Sequence, residues 1–203
     1  MSVQAINQRK PQHKVESIFP SRWSPRAMSG EDVSLEELMT LFEAARWAPS
    51  CFNDQPWRFL YARRSNPQWQ SFLDLLVEGN KGWAHKAGVL VVVISKKMFD
   101  HNGKPNRTHS YDTGAAWGYF ALQGFMSGLA VHGMAGFDYE NARKLLNVPE
   151  DYQVEAMAAI GRLGRKEDLP SNLQEREFPS DRKSIDKMAW EGEFPRQQIP
   201  TIL

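Results

Sequence analysis

Near the N-terminus, Ser21-Arg-Trp-Ser-Pro-Arg26 sets two arginines and a serine beside a turn-forming proline. Guanidinium forks donate paired, charge-assisted hydrogen bonds to phosphate oxygens. Arg22, Ser24 and Arg26 can therefore converge on a phosphate; an exposed basic turn is the plainer alternative. A second group, Ser50, Asn53 and Gln55, shares a short loop stiffened by Pro49 and Pro56. Loops held by rigid elements on both sides are where binding residues tend to sit. A packed helix-to-strand connection would explain the prolines and Trp57, but not three clustered hydrogen-bonding side chains. A third segment, Gly133-Met-Ala-Gly-Phe-Asp138, has glycines that permit a tight bend and let backbone N–H groups approach a planar ligand. A fourth, Ser180-Asp-Arg-Lys-Ser184, is basic, and surface charge alone would account for it.

Other chemistries fail on spacing. The chain has no Gly-x-Gly-x-x-Gly, no Walker loop, no His-Glu-x-x-His and no Gly-x-Ser-x-Gly. Its five histidines are scattered, and His101 and His109, flanking a polar stretch, read as solvated. The single cysteine, Cys51, lies in the Pro49–Trp57 loop without the surroundings of a catalytic thiolate, and metal binding is not expected. Asp112 reads as a cap for the helix that follows it.

These segments need elements to hold them. Ser34-Leu-Glu-Glu37 is a capping box, and Leu35, Leu38, Met39, Phe42 and Ala45 continue it as a helix that Pro49 ends. Residues 57–62 read as a strand, and Trp69, Phe72, Leu73 and Leu76 as a helix stopping near Gly79-Asn80. The aliphatic run Val89–Ile94 has the pattern of a strand covered on both faces, followed by an exposed polar loop over 96–110. A glycine-rich helix is expected over 111–131. Its Gly114, Gly118, Gly124 and Gly128 each cost roughly 1 kcal/mol against alanine, so another backbone must approach closely, from a symmetry mate or from the same chain. A short helix over 139–146 and a strand over 153–161 complete the domain. The expected division is a lead-in at 1–19, a domain at 20–164 and an arm at 165–203. In the arm, Pro170, Pro179, Pro195 and Pro200 alternate with Leu173, Phe178, Ile185, Met188, Trp190, Phe194 and Ile199. A disordered tail is poorer in large apolar residues, so the arm is read as embracing a partner subunit.

At 203 residues, 41% hydrophobic and 24% charged, the chain suits one globular domain with a real core. A formal net charge of +1 gives no electrostatic case for nucleic acid or an anionic membrane. No stretch has the apolar continuity of a signal peptide or membrane helix, and a cytoplasmic protein is expected. Seven tryptophans favour aromatic packing, an interface or a planar ligand.

The stretch Ala48-Pro-Ser-Cys-Phe-Asn-Asp-Gln-Pro-Trp57 closely resembles the Ala-Pro-Ser-x-x-Asn-x-Gln-Pro-Trp signature of the nitroreductase family of flavin-dependent oxidoreductases. Arg22, Ser24 and Arg26 resemble the Arg-x-Ser-x-Arg element that opens that fold. The resemblance implies an α+β nitroreductase-like fold, a mostly antiparallel sheet wrapped by helices, and an intertwined homodimer with FMN at the interface. It implies that Arg22, Trp23, Ser24, Arg26 and Arg182, with Lys183 beside it, surround the phosphate and ribityl chain. Pro49, Ser50 and Asn53 would reach the flavin from the other subunit, Asn80 would approach it, and Met134, Ala135 and Gly136 would lie along its ring. Many larger members carry Pro-x-Glu-Gly where this chain has Gly133-Met-Ala-Gly136, so any side-chain role of that glutamate is absent. No residue then acts as catalyst, because the flavin carries the hydride chemistry. The implied activity is ping-pong transfer of hydride from NAD(P)H through flavin N5 to an electron-poor acceptor, nitroaromatic or quinone-like. Two alternatives are a flavin-binding or interaction protein without turnover, and another flavin chemistry on the same fold, dehalogenation or flavin fragmentation.

Overall fold

A computed structural model describes residues 9–195. Residues 1–8 of the lead-in, and Ile199 and Pro200 of the arm, lie outside the described residues. In chain order the elements are α1 (Ile18–Ser21), α2 (Leu35–Arg46), β1 (Trp57–Arg63), α3 (Trp69–Asp74), α4 (Glu78–Ala84), β2 (Val89–Lys96), α5 (His109–Met126), β3 (Leu129–Met134), α6 (Tyr139–Leu145), β4 (Tyr152–Arg162) and α7 (Ser171–Gln174). The four strands form one antiparallel sheet in the order β1-β2-β4-β3.

Alternation along β2 splits the core in two. Val89, Val91 and Val93 join Leu38 and Leu41 of α2 and Ala116 and Phe120 of α5. Leu90, Val92 and Ile94 join Phe72, Leu75 and Trp83 from the α3–α4 region on the opposite face. Both faces are covered, which is why β2 is a continuous aliphatic run. The capping box of α2 forms as expected: Glu37 N–H donates to Ser34 Oγ (3.1 Å) and Ser34 N–H to Glu37 Oε2 (3.0 Å).

The structure departs from the pattern reading in three places. The glycine-rich helix ends at Met126 rather than running to Val131, because Gly128 turns at φ +73° and the chain re-enters the sheet as β3. Gly124 faces inward, where a Cβ would lie 2.3 Å from Val131 Cγ2 and 3.3 Å from Leu41 Cδ2, so a crossing within the chain demands that glycine. At Gly114 and Gly118 a Cβ would meet nothing within 4 Å. Gly79-Asn80, expected to stop a helix, lies inside a new one. α3 ends at Asp74, Leu76 bridges to Phe137, and extended Val77 restarts the chain as α4. The polar loop after β2 is not wholly exposed either. Asn106 is buried, accepting from Thr108 N and Oγ1 and donating weakly to Asp54 (3.4 Å).

Beyond Gly164 the chain has little regular structure. Leu169 and Glu177 are buried, whereas Phe178, Ile185, Met188, Trp190 and Phe194 are exposed. Among the described residues no helix is long and apolar enough to cross a membrane.

Candidate functional site

The segment after α1 folds back over the edge strand β3 and meets the arm. Between them lies a cavity of about 360 Å³. Arg22, Trp23, Ser24 and Arg26 line it from the N-terminal side, Arg176, Phe178 and Arg182 from the arm, and Arg9 and His132 complete it. Four of the predicted residues thus meet Arg182, more than 150 positions away in the chain. Arg22 Nη1 donates to Ser24 Oγ (3.2 Å), and Arg182 Nη1 donates to the Ser180 carbonyl (3.1 Å).

Glu177 fixes this junction. Its side chain is 3% exposed; Oε1 accepts from the backbone N–H of Arg26 (2.7 Å) and of Ala27 (2.9 Å). Oε2 stands 3.7 Å from Arg26 Nη1. Oε2 has no hydrogen-bond partner among the described residues, and the two bonds to Oε1 tie the arm to the arginine turn. The charge balance of the cavity stays strongly positive. Burial first, then the nearby charges of Arg182 and Arg9, push the Arg22 guanidinium below its ordinary value. Arg9 is shifted the same way by burial and Arg182, with Asp181 opposing. Like charges held together away from water are relieved by a bound anion.

His132 forms the floor. It packs on Trp83 with ring centroids 4.7 Å apart, and Nδ1 lies 3.1 Å from the Pro25 carbonyl, to which it donates. Burial, the largest influence, together with Arg26 and Arg22, pushes its pKa down to about 4 despite that hydrogen bond, so the ring is neutral at pH 7. Trp23 is buried, and its Nε1–H finds no partner among the described residues. A guanidinium-rich cavity with an unused indole donor fits an anionic, hydrogen-bond-accepting group.

The other predicted residues lie in two further loops. Asn80 Nδ2 donates to the Gly136 carbonyl (3.0 Å), which also accepts from Val77 N–H (3.1 Å). Asn80 therefore positions the Ala135-Gly136 turn. A Cβ on Gly136 would fall 2.7 Å from Asn80 Nδ2, so the turn needs that glycine. Met134 and Ala135 line a second cavity, of about 420 Å³.

The Pro49–Trp57 loop stands apart from the arginine cavity within one chain. Ser50 Oγ accepts from Gln55 N–H (3.1 Å), and Asn53 lines a cavity with Phe52, Gln55, Asp100 and His101. Phe52, Asn53 and Gln55 all have positive φ, 51°, 55° and 51°. For a phenylalanine this is strained backbone. Asp112 compensates: it is buried, sits in the first turn of α5 and accepts from Cys51 N–H (3.0 Å) and Thr108 Oγ1 (3.1 Å). Its job is to anchor the loop, not to cap the helix. His109, expected to be solvated, instead lies 2.7 Å from Ser95 Oγ.

Sequence reasoning missed Arg9, Arg176, His132 and Glu177. Only His132 carried a local signal, a polar residue inside the apolar run that forms β3.

A family model for the nitroreductase family matches residues 20–162. The chain belongs to the nitroreductase family. A solved structure described as an oxidoreductase containing FMN is 42% identical, at a TM-score of 0.90, over 95% of this chain and 99% of that one. A nitroreductase family protein of Clostridium difficile 630, at 19% identity and a TM-score of 0.65, shares the fold over 85% of this chain and 95% of its own. Protein DrgA of Synechocystis is 29% identical over 167 residues, 68% of this chain and 77% of DrgA. Nitroreductase membership agrees with the antiparallel sheet, the helices on both its faces and the loop signature at Pro49–Trp57.

Proposed function

We propose that this nitroreductase-family chain is an FMN-dependent oxidoreductase taking hydride from NAD(P)H and passing it, in a ping-pong cycle, to an electron-poor acceptor such as a nitroaromatic or quinone. The observation that carries the reading is the arginine cavity. Arg22, Arg26 and Arg182 would hold the flavin phosphate there, with Ser24 on the ribityl side and Trp23 supplying its unused N–H. The 42% identical structure described as containing FMN supports the same assignment. Flavin, when bound, supplies the hydride chemistry; the chain supplies position, charge and exclusion of water.

The ring would lie along Met134, Ala135 and Gly136, whose turn Asn80 holds. Pro49, Ser50 and Asn53 would close over the flavin of the other subunit, because in one chain Asn53 lines a different cavity. That assignment requires a homodimer. Exposed Gly114 on α5 and the exposed apolar side chains of 165–195 are consistent with one. The working division is a lead-in at 1–19, an FMN-binding domain at 20–164 and an arm at 165–203.

The deciding experiment is an absorption spectrum of the purified protein, followed by anaerobic addition of NADH and of NADPH. A flavin spectrum that bleaches with either supports the oxidoreductase. A flavin spectrum that survives both favours a binder without nicotinamide turnover, consistent with Ala135 standing where larger members carry glutamate. Colourless protein that gains no thermal stability from FMN would sink the reading.

A further inference from the structure

The ends of β2, β3 and β4 frame the second cavity, of about 420 Å³, under the first turns of α5. Its walls are mostly apolar: Val93, Trp117, Met134 and Ala156. Gly133 makes room for the indole, since a Cβ there would fall 2.9 Å from Trp117 Cζ2. At Gly114, also on the lining, a Cβ would meet nothing within 4 Å.

Into this apolar space the chain inserts a carboxylate by breaking the strand pattern. β2 pairs Val93 with Ala156 but Ile94 with Val154, so Glu155 is the extra residue of a β-bulge. Successive strand residues normally face opposite sides, yet Glu155 and Ala156 both line the cavity. Bulges are a recognised means of re-aiming a side chain beside a functional site. Glu155 Oε1 accepts from Ser95 Oγ (2.5 Å) and Ser110 Oγ (2.6 Å). Ser95 has spent its proton on Glu155, so His109 Nδ1 donates to Ser95 Oγ, and this network holds the carboxylate in place. Oε2 has no hydrogen-bond partner among the described residues. Thr113, 2% exposed, lines the same cavity, and its hydroxyl also has no partner among them. Buried hydroxyls are nearly always satisfied, and a few convergent polar groups in an apolar pocket mark a small-molecule site.

We propose that this cavity binds a small aromatic molecule whose head group donates N–H hydrogen bonds, its ring against Trp117 and its head between Glu155 Oε2 and the Thr113 hydroxyl. An anionic head is rejected, because it would face the Glu155 carboxylate. The cavity shares Met134 and Ala135 with the turn assigned to the flavin, but none of the arginines lines it, so the proposal stands independently of the flavin assignment.

Calorimetric titration of the full chain, with and without saturating FMN, tests it using benzylamine, benzamide and benzoate as probes. Benzylamine and benzamide are expected to bind in both conditions, and benzoate in neither. Thr113→Val should weaken benzamide about fivefold, the loss of one neutral hydrogen bond. Glu155→Gln should weaken benzylamine more than tenfold while sparing benzamide. Equal binding of benzoate, binding unaltered by both substitutions, or no binding of any probe at millimolar concentration would overturn the proposal. So would competition by FMN, which would place the cavity inside the flavin site. If FMN itself fails to bind while the amine and amide still do, the flavin assignment falls and this one stands.

Discussion

Replacing Glu177 tests the junction on which the arginine cavity depends. The carboxylate accepts two backbone hydrogen bonds, at 2.7 and 2.9 Å, and its side chain is 3% exposed. A hydrogen bond to a charged group contributes about 1.5–3 kcal/mol, and a buried donor left unpaired loses its hydration as well. Glu177→Ala orphans the N–H groups of Arg26 and Ala27 together, so the expected loss of unfolding free energy is about 3–5 kcal/mol. Glu177→Gln keeps an acceptor oxygen and loses only the charge facing Arg26 Nη1 at 3.7 Å; about 1–2 kcal/mol is expected. Urea denaturation of the three proteins measures both. Because Arg176, Phe178 and Arg182 line the cavity from the same arm, the alanine variant should also bind FMN at least tenfold more weakly. A Glu177→Ala protein within about 1 kcal/mol of the parent would refute the view that this carboxylate joins arm and domain.

Arg22→Ala and Arg182→Ala should each weaken FMN binding about ten- to a hundredfold, the loss of charge-assisted bonds to phosphate; quenching of flavin fluorescence measures it, and unchanged affinity in both would remove the phosphate assignment. His132, held near 4 against an ordinary 6.5 chiefly by burial, refuses in the folded state a proton that the unfolded chain accepts. Stability is therefore expected to fall as pH drops from about 6.5 to 4 and to lose no more from this group below that, by at most about 3 kcal/mol. Denaturation of parent and His132→Gln at pH 7 and 5 checks this, and identical pH slopes would count against it. Truncation after Ser184 keeps Glu177 and Arg182 but removes the exposed Ile185, Met188, Trp190 and Phe194. Sedimentation should then show a weaker dimer, and an unaltered one would argue against an embracing arm.

What could be read from sequence was what short-range chemistry decides. The Ser34–Glu37 capping box and the two-sided aliphatic β2 depend on neighbours within a few positions, and both are present. The pattern failed where a tertiary contact overrode a local trend. Leu129–Val131 resumes the apolar character of α5 after only Ser127 and Gly128, and Gly128 at positive φ marks the passage from helix to strand. Gly79-Asn80 has the composition of a stop, yet Val77 N–H and Asn80 Nδ2 both reach the Gly136 carbonyl, an acceptor that appears only after folding.

The candidate site was legible in its clustered arginines and illegible in its supports, for the same physical reason. Arg22, Ser24 and Arg26 lie together in sequence because one turn presents them. Glu177, which fixes that turn, lies 151 positions away from Arg26. Asp112 holds Cys51 across 61 positions, and Asn80 holds Gly136 across 56. Each candidate loop is thus anchored by one polar side chain bonded to its backbone from a distant part of the chain. Such anchors are what strained loops require. Positive φ at Phe52, Asn53 and Gln55 costs on the order of 1 kcal/mol or more apiece and persists only where the surroundings over-determine the conformation. The same holds for the arginines, whose mutual repulsion would spread them into solvent were the arm not tied down at Glu177. The fold therefore keeps a strained loop and a self-repelling arginine cluster in place ahead of any ligand, and an anion entering the arginine cavity meets donors already positioned.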